Sequence, residues 1–180
     1  MDIVDALEQT YGHTAALLAN VSPEGLDATT PCEGWTVRDL LAHTIAVVHG
    51  LGAAASGATA PPFELGEDPA AQFAITAEAN LAAWRADGVM DRIVNGGPGP
   101  MPGRALAGIN LLDTATHAWD LAVATGQASD LPPGVAEAAL EASRQIISPE
   151  IRPGRFAPEV EATPGASPTE QLAAFLGRHP

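Results

Sequence analysis

The chain has 180 residues, 46% of them apolar and 4% aromatic, and its 22 acidic residues against eight basic ones give a formal net charge of −14. That length suits one domain with a full hydrophobic core, and the acidity argues against nucleic acid or an anionic membrane as a partner, since both demand cationic patches. All eight basic residues are arginine, which excludes a Schiff-base lysine, a phosphate-loop lysine and a lysine general base.

In chain order, apolar residues at Ile3, Leu7, Tyr11, Ala15 and Leu18 recur at a helical period and predict a first helix over about 3–20, with Asp2 as N-cap. The segment 22–34 reads as a loop. Thr36 and Asp39 form a capping-box variant that opens a second helix, and Trp35 and Leu40 have the spacing of a hydrophobic staple. The run 52–67, rich in Gly, Ala and Pro, reads as a flexible connection. Asp68-Pro69 then pairs an N-cap with proline at the first helical position and opens a third helix to about residue 87. The Gly and Pro residues of 95–104 predict a turn or short hairpin. A fourth helix over about 104–125 ends near Gly126, a fifth covers about 133–147, and 152–167 is an extended loop. Ser167 and Glu170 make a second capping box, with Pro168 between them, for a short last helix ending near Gly177. Alternating strand-type runs are nearly absent. The expectation is an all-α fold, a four-helix bundle over about 1–130 with a C-terminal helix and tail over 131–180, all one domain.

The chemistry concentrates on two of these helices. His43 lies on the second, in LLAHTIAVVHG. On the fourth, Asp113 and His117 are four residues apart and so share a face, and Asp120 falls on the same stripe. Ionisable groups on an otherwise apolar face are rarely buried unless paired or metal-bound. We therefore expect the two helices to face each other and to offer His43, Asp113 and His117 to a divalent metal. Two imidazoles and one carboxylate with open positions match catalytic zinc, and the same set also accommodates non-haem iron or nickel. In a plainer reading, His43 is a core histidine satisfied by Asp39 one turn earlier. Asp39 is read first as a helix cap, with a further role as an acceptor orienting His43. Asp120 is read as orienting a ligand histidine, pairing with an arginine such as Arg38, or lying on the polar rim. His49 is assigned to rim or core, His13 and His179 to the surface, Trp119 to the core and Trp35 to the staple. Arg38, Arg85 and Arg104 are the arginines expected nearest the cavity.

The single cysteine, Cys32, cannot form an internal disulfide. It lacks a sequence neighbour that would lower its pKa, and it reads as a buried structural thiol. The N-terminus has neither the basic nor the apolar region of a leader, so the expected location is cytoplasmic.

The strings TTPCEGWTVRDLLAHTIAVVHG (29–50), DTATHAWDLAVATGQ (113–127) and FAPEVEATPGASPTEQLAAFLGRHP (156–180) resemble an actinobacterial family of small metal-binding proteins. That family is related to the N-terminal domain of mycothiol-dependent maleylpyruvate isomerase, within the DinB-like superfamily. The resemblance covers essentially the whole chain. It implies a DinB-like four-helix bundle with a metal held by His43, Asp113 and His117, and, in the better understood relatives, thiol transfer or isomerisation with a low-molecular-weight thiol such as mycothiol. One departure stands out: relatives often carry His or Glu four residues before the last histidine, where this chain has the shorter Asp113.

Two function classes follow. The first is a metal-dependent mycothiol-type transferase or isomerase, with a small-molecule thiol and an electrophile as its partners. The second is a non-catalytic metal-binding, sensor or interaction module of the same fold. Alanine-rich bundle faces leave a homodimer open.

Overall fold

The computed structural model describes residues 1–97 and 99–179. Within them lie six α-helices and one two-stranded antiparallel sheet: α1 (Ile3–Leu18), α2 (Val37–Ser56), α3 (Pro69–Trp84), β1 (Ile93–Gly96), β2 (Gly99–Pro102), α4 (Gly103–Thr125), α5 (Val135–Ile146) and α6 (Pro168–Phe175). A 3-10 turn over Pro23–Asp27 breaks the segment expected to be loop.

The caps read from the sequence are in place. Asp2, Thr36, Asp68 and Ser167 each accept a backbone N–H at a helix start, and Thr36–Asp39 and Ser167–Glu170 form complete capping boxes. Gly57 and Gly126 end α2 and α4 in the left-handed region. The hairpin predicted over 95–104 forms, with Val94 opposite Met101; Pro98 of that turn lies outside the described residues. It feeds straight into α4, which has no side-chain cap. The Gly103 and Arg104 amides are instead satisfied by the carbonyls of Arg92 and Met90.

Two boundaries differ from expectation. Helix α3 stops at Trp84 rather than near 87. Helix α2 continues through Gly52 to Ser56, across residues expected to be flexible connection. The reason is packing: a Cβ on Gly52 would sit 3.0 Å from the Asn80 Cα of α3. Here glycine marks a close helix crossing rather than a break.

Helices α1 to α4 form the bundle, with α1 and α2 each packed against both α3 and α4; α5 lies on α4 and α1, and α6 on α5 and α4. Leu7, Leu40, Ile45, Phe73, Trp84, Leu106, Leu111 and Leu121 are essentially inaccessible at its centre. Each such side chain contributes about 1.5–3 kcal/mol of burial. A polar node crosses this core. The Asn110 Oδ1 accepts from Asn80 Nδ2 (2.9 Å) and Trp84 Nε1 (3.0 Å), Asn80 Nδ2 also donates to the Val48 carbonyl (2.7 Å), and the Tyr11 hydroxyl donates to Asn80 Oδ1 (2.8 Å). All four bundle helices meet there, so the node fixes their register. No helix among the described residues is long and apolar enough to cross a membrane.

Candidate metal centre

The segment before α2 folds back on itself through an antiparallel bridge between Thr29 and Thr36. Its backbone is pinned by Val37 N–H to Ala28 O (2.9 Å) and Thr30 N–H to Trp35 O (3.1 Å), and Gly34 supplies the left-handed turn residue (φ 77°). This hairpin-like loop sets Cys32 and Trp35 against the face where α2 meets α4.

There the three expected donors converge. His43 of α2 places Nε2 3.1 Å from Asp113 Oδ1 of α4, and His117 Nε2 lies 3.7 Å from the same oxygen. One donor atom from each of the three side chains falls within 4.8 Å of the others. The imidazole rings are edge to face with centroids 4.9 Å apart. His117 is 11% exposed, Asp113 19% and His43 36%, so the cluster opens to solvent on the His43 side. The hydrogen bond and charge of Asp113 raise the His43 pKa above its ordinary value, against the opposing effect of burial.

The far nitrogen of His117 is already engaged. Its Nδ1 lies 2.9 Å from Asp120 Oδ2. Asp120 is fully buried, and Arg178 of the C-terminal tail grips both its oxygens, Nε to Oδ1 at 3.0 Å and Nη2 to Oδ2 at 2.7 Å. Burial alone would raise this carboxyl's pKa, but the hydrogen bonds from His117 and Arg178 and the arginine charge hold it down to about 2. With Nδ1 turned to the ionised Asp120, Nε2 is the His117 nitrogen that faces Asp113 and His43, where a cation would meet it. A second observation agrees: Asp113 Oδ2 is buried without a hydrogen-bond partner among the described residues, a state that costs about 1–3 kcal/mol or more when uncompensated. The donor set therefore fits a divalent metal, with a carboxylate orienting one ligand histidine through its other nitrogen.

Several sequence readings change here. Asp39 does not serve His43; its carboxylate accepts from the Thr36 amide (2.9 Å) and hydroxyl (2.6 Å) and acts as a cap. Asp120 pairs with Arg178, not Arg38, which is exposed on α2. Arg85 and Arg104 are engaged on the surface with Glu8 and Asp91. Trp35, assigned to a staple, packs against the core and also on both imidazoles, 5.0 Å from the His43 ring and 6.1 Å from the His117 ring, its plane 29° from that of the latter. It walls the centre. His13 is half-buried rather than superficial, with its Nε2 inaccessible and without a partner among the described residues, and burial lowers its pKa. Trp119 is buried, His49 lies near Phe63 and His179 is exposed, as expected.

Cys32 has the charged neighbours its sequence context lacked. Its Sγ lies 3.3 Å from Asp120 Oδ2, 3.7 Å from Arg178 Nη2 and 4.0 Å from His117 Nδ1. Burial and the Asp120 charge push its pKa up to about 12 despite the arginine, so it stays a thiol and donates to Asp120. Arg178 is the site residue that sequence reading missed, because its partner lies 58 positions away. The only signal was the tail string shared with the resembling family.

Comparison with known proteins adds three findings. Residues 7–122 match the family described as the mycothiol maleylpyruvate isomerase N-terminal domain. Uncharacterized proteins from two strains of Mycobacterium tuberculosis are each 39% identical over 180 residues, spanning 99% of this chain and 98% of the relative. The crystal structure of the mycothiol-dependent maleylpyruvate isomerase aligns with a TM-score of 0.50 at 18% identity, covering 79% of this chain and 68% of that one, and so shares the fold.

Proposed function

This chain belongs to the mycothiol maleylpyruvate isomerase N-terminal domain family, and from that premise we propose that it is a metal-dependent thiol transferase or isomerase, with His43, Asp113 and His117 as the metal ligands. The observation that carries the reading is the convergence of these three donors beside the buried Asp113 Oδ2, which has no hydrogen-bond partner among the described residues. Zinc suits two imidazoles and one carboxylate best.

A divalent metal held by His43, Asp113 and His117 would supply the Lewis acidity that lowers the pKa of a low-molecular-weight thiol of the mycothiol type, favouring the thiolate that attacks a small electrophile. The protein's own residues do the rest. Asp120 holds the Nδ1 proton of His117 and keeps its Nε2 available. Trp35 covers one flank of the imidazole pair and excludes water there. The exposed edge of His43 leaves the approach by which a thiol reaches the centre. Cys32 is not the nucleophile, since it is held protonated behind His117. The cytoplasm, where low-molecular-weight thiols are kept reduced, is the compartment this chemistry suits.

A non-catalytic metal-binding role draws on one observation. Two cavities, of about 520 Å³ between α1 and α3 and about 250 Å³ beside His49 between α2 and α3, are lined by neither His43, Asp113 nor His117. Turnover decides between the readings. Zinc-loaded protein with mycothiol and a small electrophile such as maleylpyruvate is expected to consume thiol or isomerise substrate, and His43→Ala is expected to abolish this. Zinc bound without turnover of any thiol–electrophile pair would leave the binding module and remove the enzyme.

A further inference from the structure

The C-terminal tail completes the centre. Helix α6 ends in a turn in which Gly177 N–H bonds to Ala174 O (3.0 Å) and Arg178 N–H to Ala173 O (2.9 Å). Gly177 has φ 81°, and a Cβ there would lie 2.8 Å from the backbone carbonyl oxygens of both Ala157 and Pro158. Only glycine fits the turn, and the turn sends the Arg178 side chain inward, largely buried (16% exposed), onto the fully buried Asp120.

We propose that Arg178 is a positioning residue of the metal centre, acting through Asp120 to hold His117 with Nδ1 protonated and Nε2 free to ligate. The inference rests on the metal reading above. Its geometry is a chain of three: the guanidinium fork on both Asp120 oxygens, Asp120 Oδ2 on His117 Nδ1, and His117 Nε2 facing Asp113 and His43. A planar fork fixes the carboxylate in orientation as well as in charge. Without it, Asp120 is a buried carboxylate with an uncompensated charge, free to rotate toward Cys32, whose thiol already lies 3.3 Å from Oδ2. The tail, 58 residues beyond Asp120, thus becomes part of the ligand-orienting apparatus. Metal affinity then depends on α6 and the Gly177 turn being docked.

The test is zinc affinity of the full-length protein, by competition with a chromophoric chelator, for the parent, Arg178→Ala, Arg178→Lys, Asp120→Asn and the double variant, each checked for fold by circular dichroism. Arg178→Ala is expected to weaken zinc binding roughly tenfold to a hundredfold, the usual effect of removing a group that orients a ligand. Arg178→Lys keeps the charge and loses the fork, and should fall between. The double variant should bind no more weakly than Asp120→Asn alone, because both changes break one chain. Parent-like affinity in folded Arg178→Ala, or additive losses in the double variant, would overturn the proposal. Should Arg178→Ala fail to fold, Arg178→Lys carries the same comparison.

A metal-free measurement separates this inference from the metal reading. Imidazole 15N chemical shifts should show His117 as the Nδ1–H tautomer in the parent and as a mixture in the Arg178 variants. That result in a protein that binds no zinc would sink the metal reading and keep the positioning role. An unchanged tautomer would sink the positioning role itself.

Discussion

Replacing Asn110 by alanine removes the acceptor on which the buried polar node is centred. Asn110 Oδ1 takes N–H groups from Asn80 of α3 and Trp84 at its end, both with distances at or below 3.0 Å. Asn110 and Asn80 are fully buried and Trp84 is 1% exposed, so no water replaces the lost oxygen. Each orphaned donor costs about 1–3 kcal/mol, which sums to about 2–6 kcal/mol before any cavity term. Against a typical total stability of about 5–15 kcal/mol this is severe. For a chain of this size a loss of about 4 kcal/mol lowers Tm by about 8–16 °C. Urea denaturation followed by circular dichroism should show a lower midpoint at unchanged slope. Tyr11→Phe is the internal comparison. It withdraws the hydroxyl that lies 2.8 Å from Asn80 Oδ1 and 3.1 Å from Asn110 Oδ1 and orphans one buried acceptor rather than two donors, so it should cost about 1–3 kcal/mol, less than Asn110→Ala. A loss below about 1 kcal/mol for Asn110→Ala, or a loss for Tyr11→Phe larger than that for Asn110→Ala, would refute the accounting of the node.

Three further outcomes are expected. The raised pKa of His43, caused by the Asp113 hydrogen bond, makes the metal-free pair stabilising below the ordinary histidine value and lost as pH rises through the raised folded value. The Tm advantage of the metal-free parent over Asp113→Asn should therefore shrink across that window, and a pH-independent difference would contradict the pairing. Cys32, with its pKa pushed up to about 12 by burial and Asp120, should resist iodoacetamide at pH 8 in the folded protein and be alkylated fully in denaturant; rapid modification of folded protein would place the thiol elsewhere. Gly177→Ala forces a side chain into the left-handed region and against two backbone carbonyls, so it should lower Tm by several degrees and loosen the tail, seen as faster amide exchange in α6.

What the sequence revealed and what it hid have the same physical cause. Caps, proline positions and the i,i+4 spacing of Asp113 and His117 are local, and they placed the helix starts, the hairpin and the two helices that bring His43 to Asp113. Gly52 misled because a glycine required by contact with Asn80 looks in sequence like a glycine that ends a helix. Trp35 at a helix entry matched a staple, but its second contact, with the imidazoles, depends on the folded-back loop and had no local signal. Arg178 was invisible as a partner because its contact with Asp120 exists only once α6 has docked on α4 and α5. Asn80 and Asn110 carried no spacing signal, since a buried amide network depends on three-dimensional convergence.

Elemental analysis of protein purified without a metal-affinity tag tests the central claim most directly, run beside His43→Ala and His117→Ala variants that retain the parent's helical circular dichroism. The account predicts near-stoichiometric zinc, or iron or nickel in its place, in the parent and its loss in both variants. A metal-free parent that refuses added zinc would contradict it, and His43, Asp113 and His117 would then be a polar cluster tying α2 to α4.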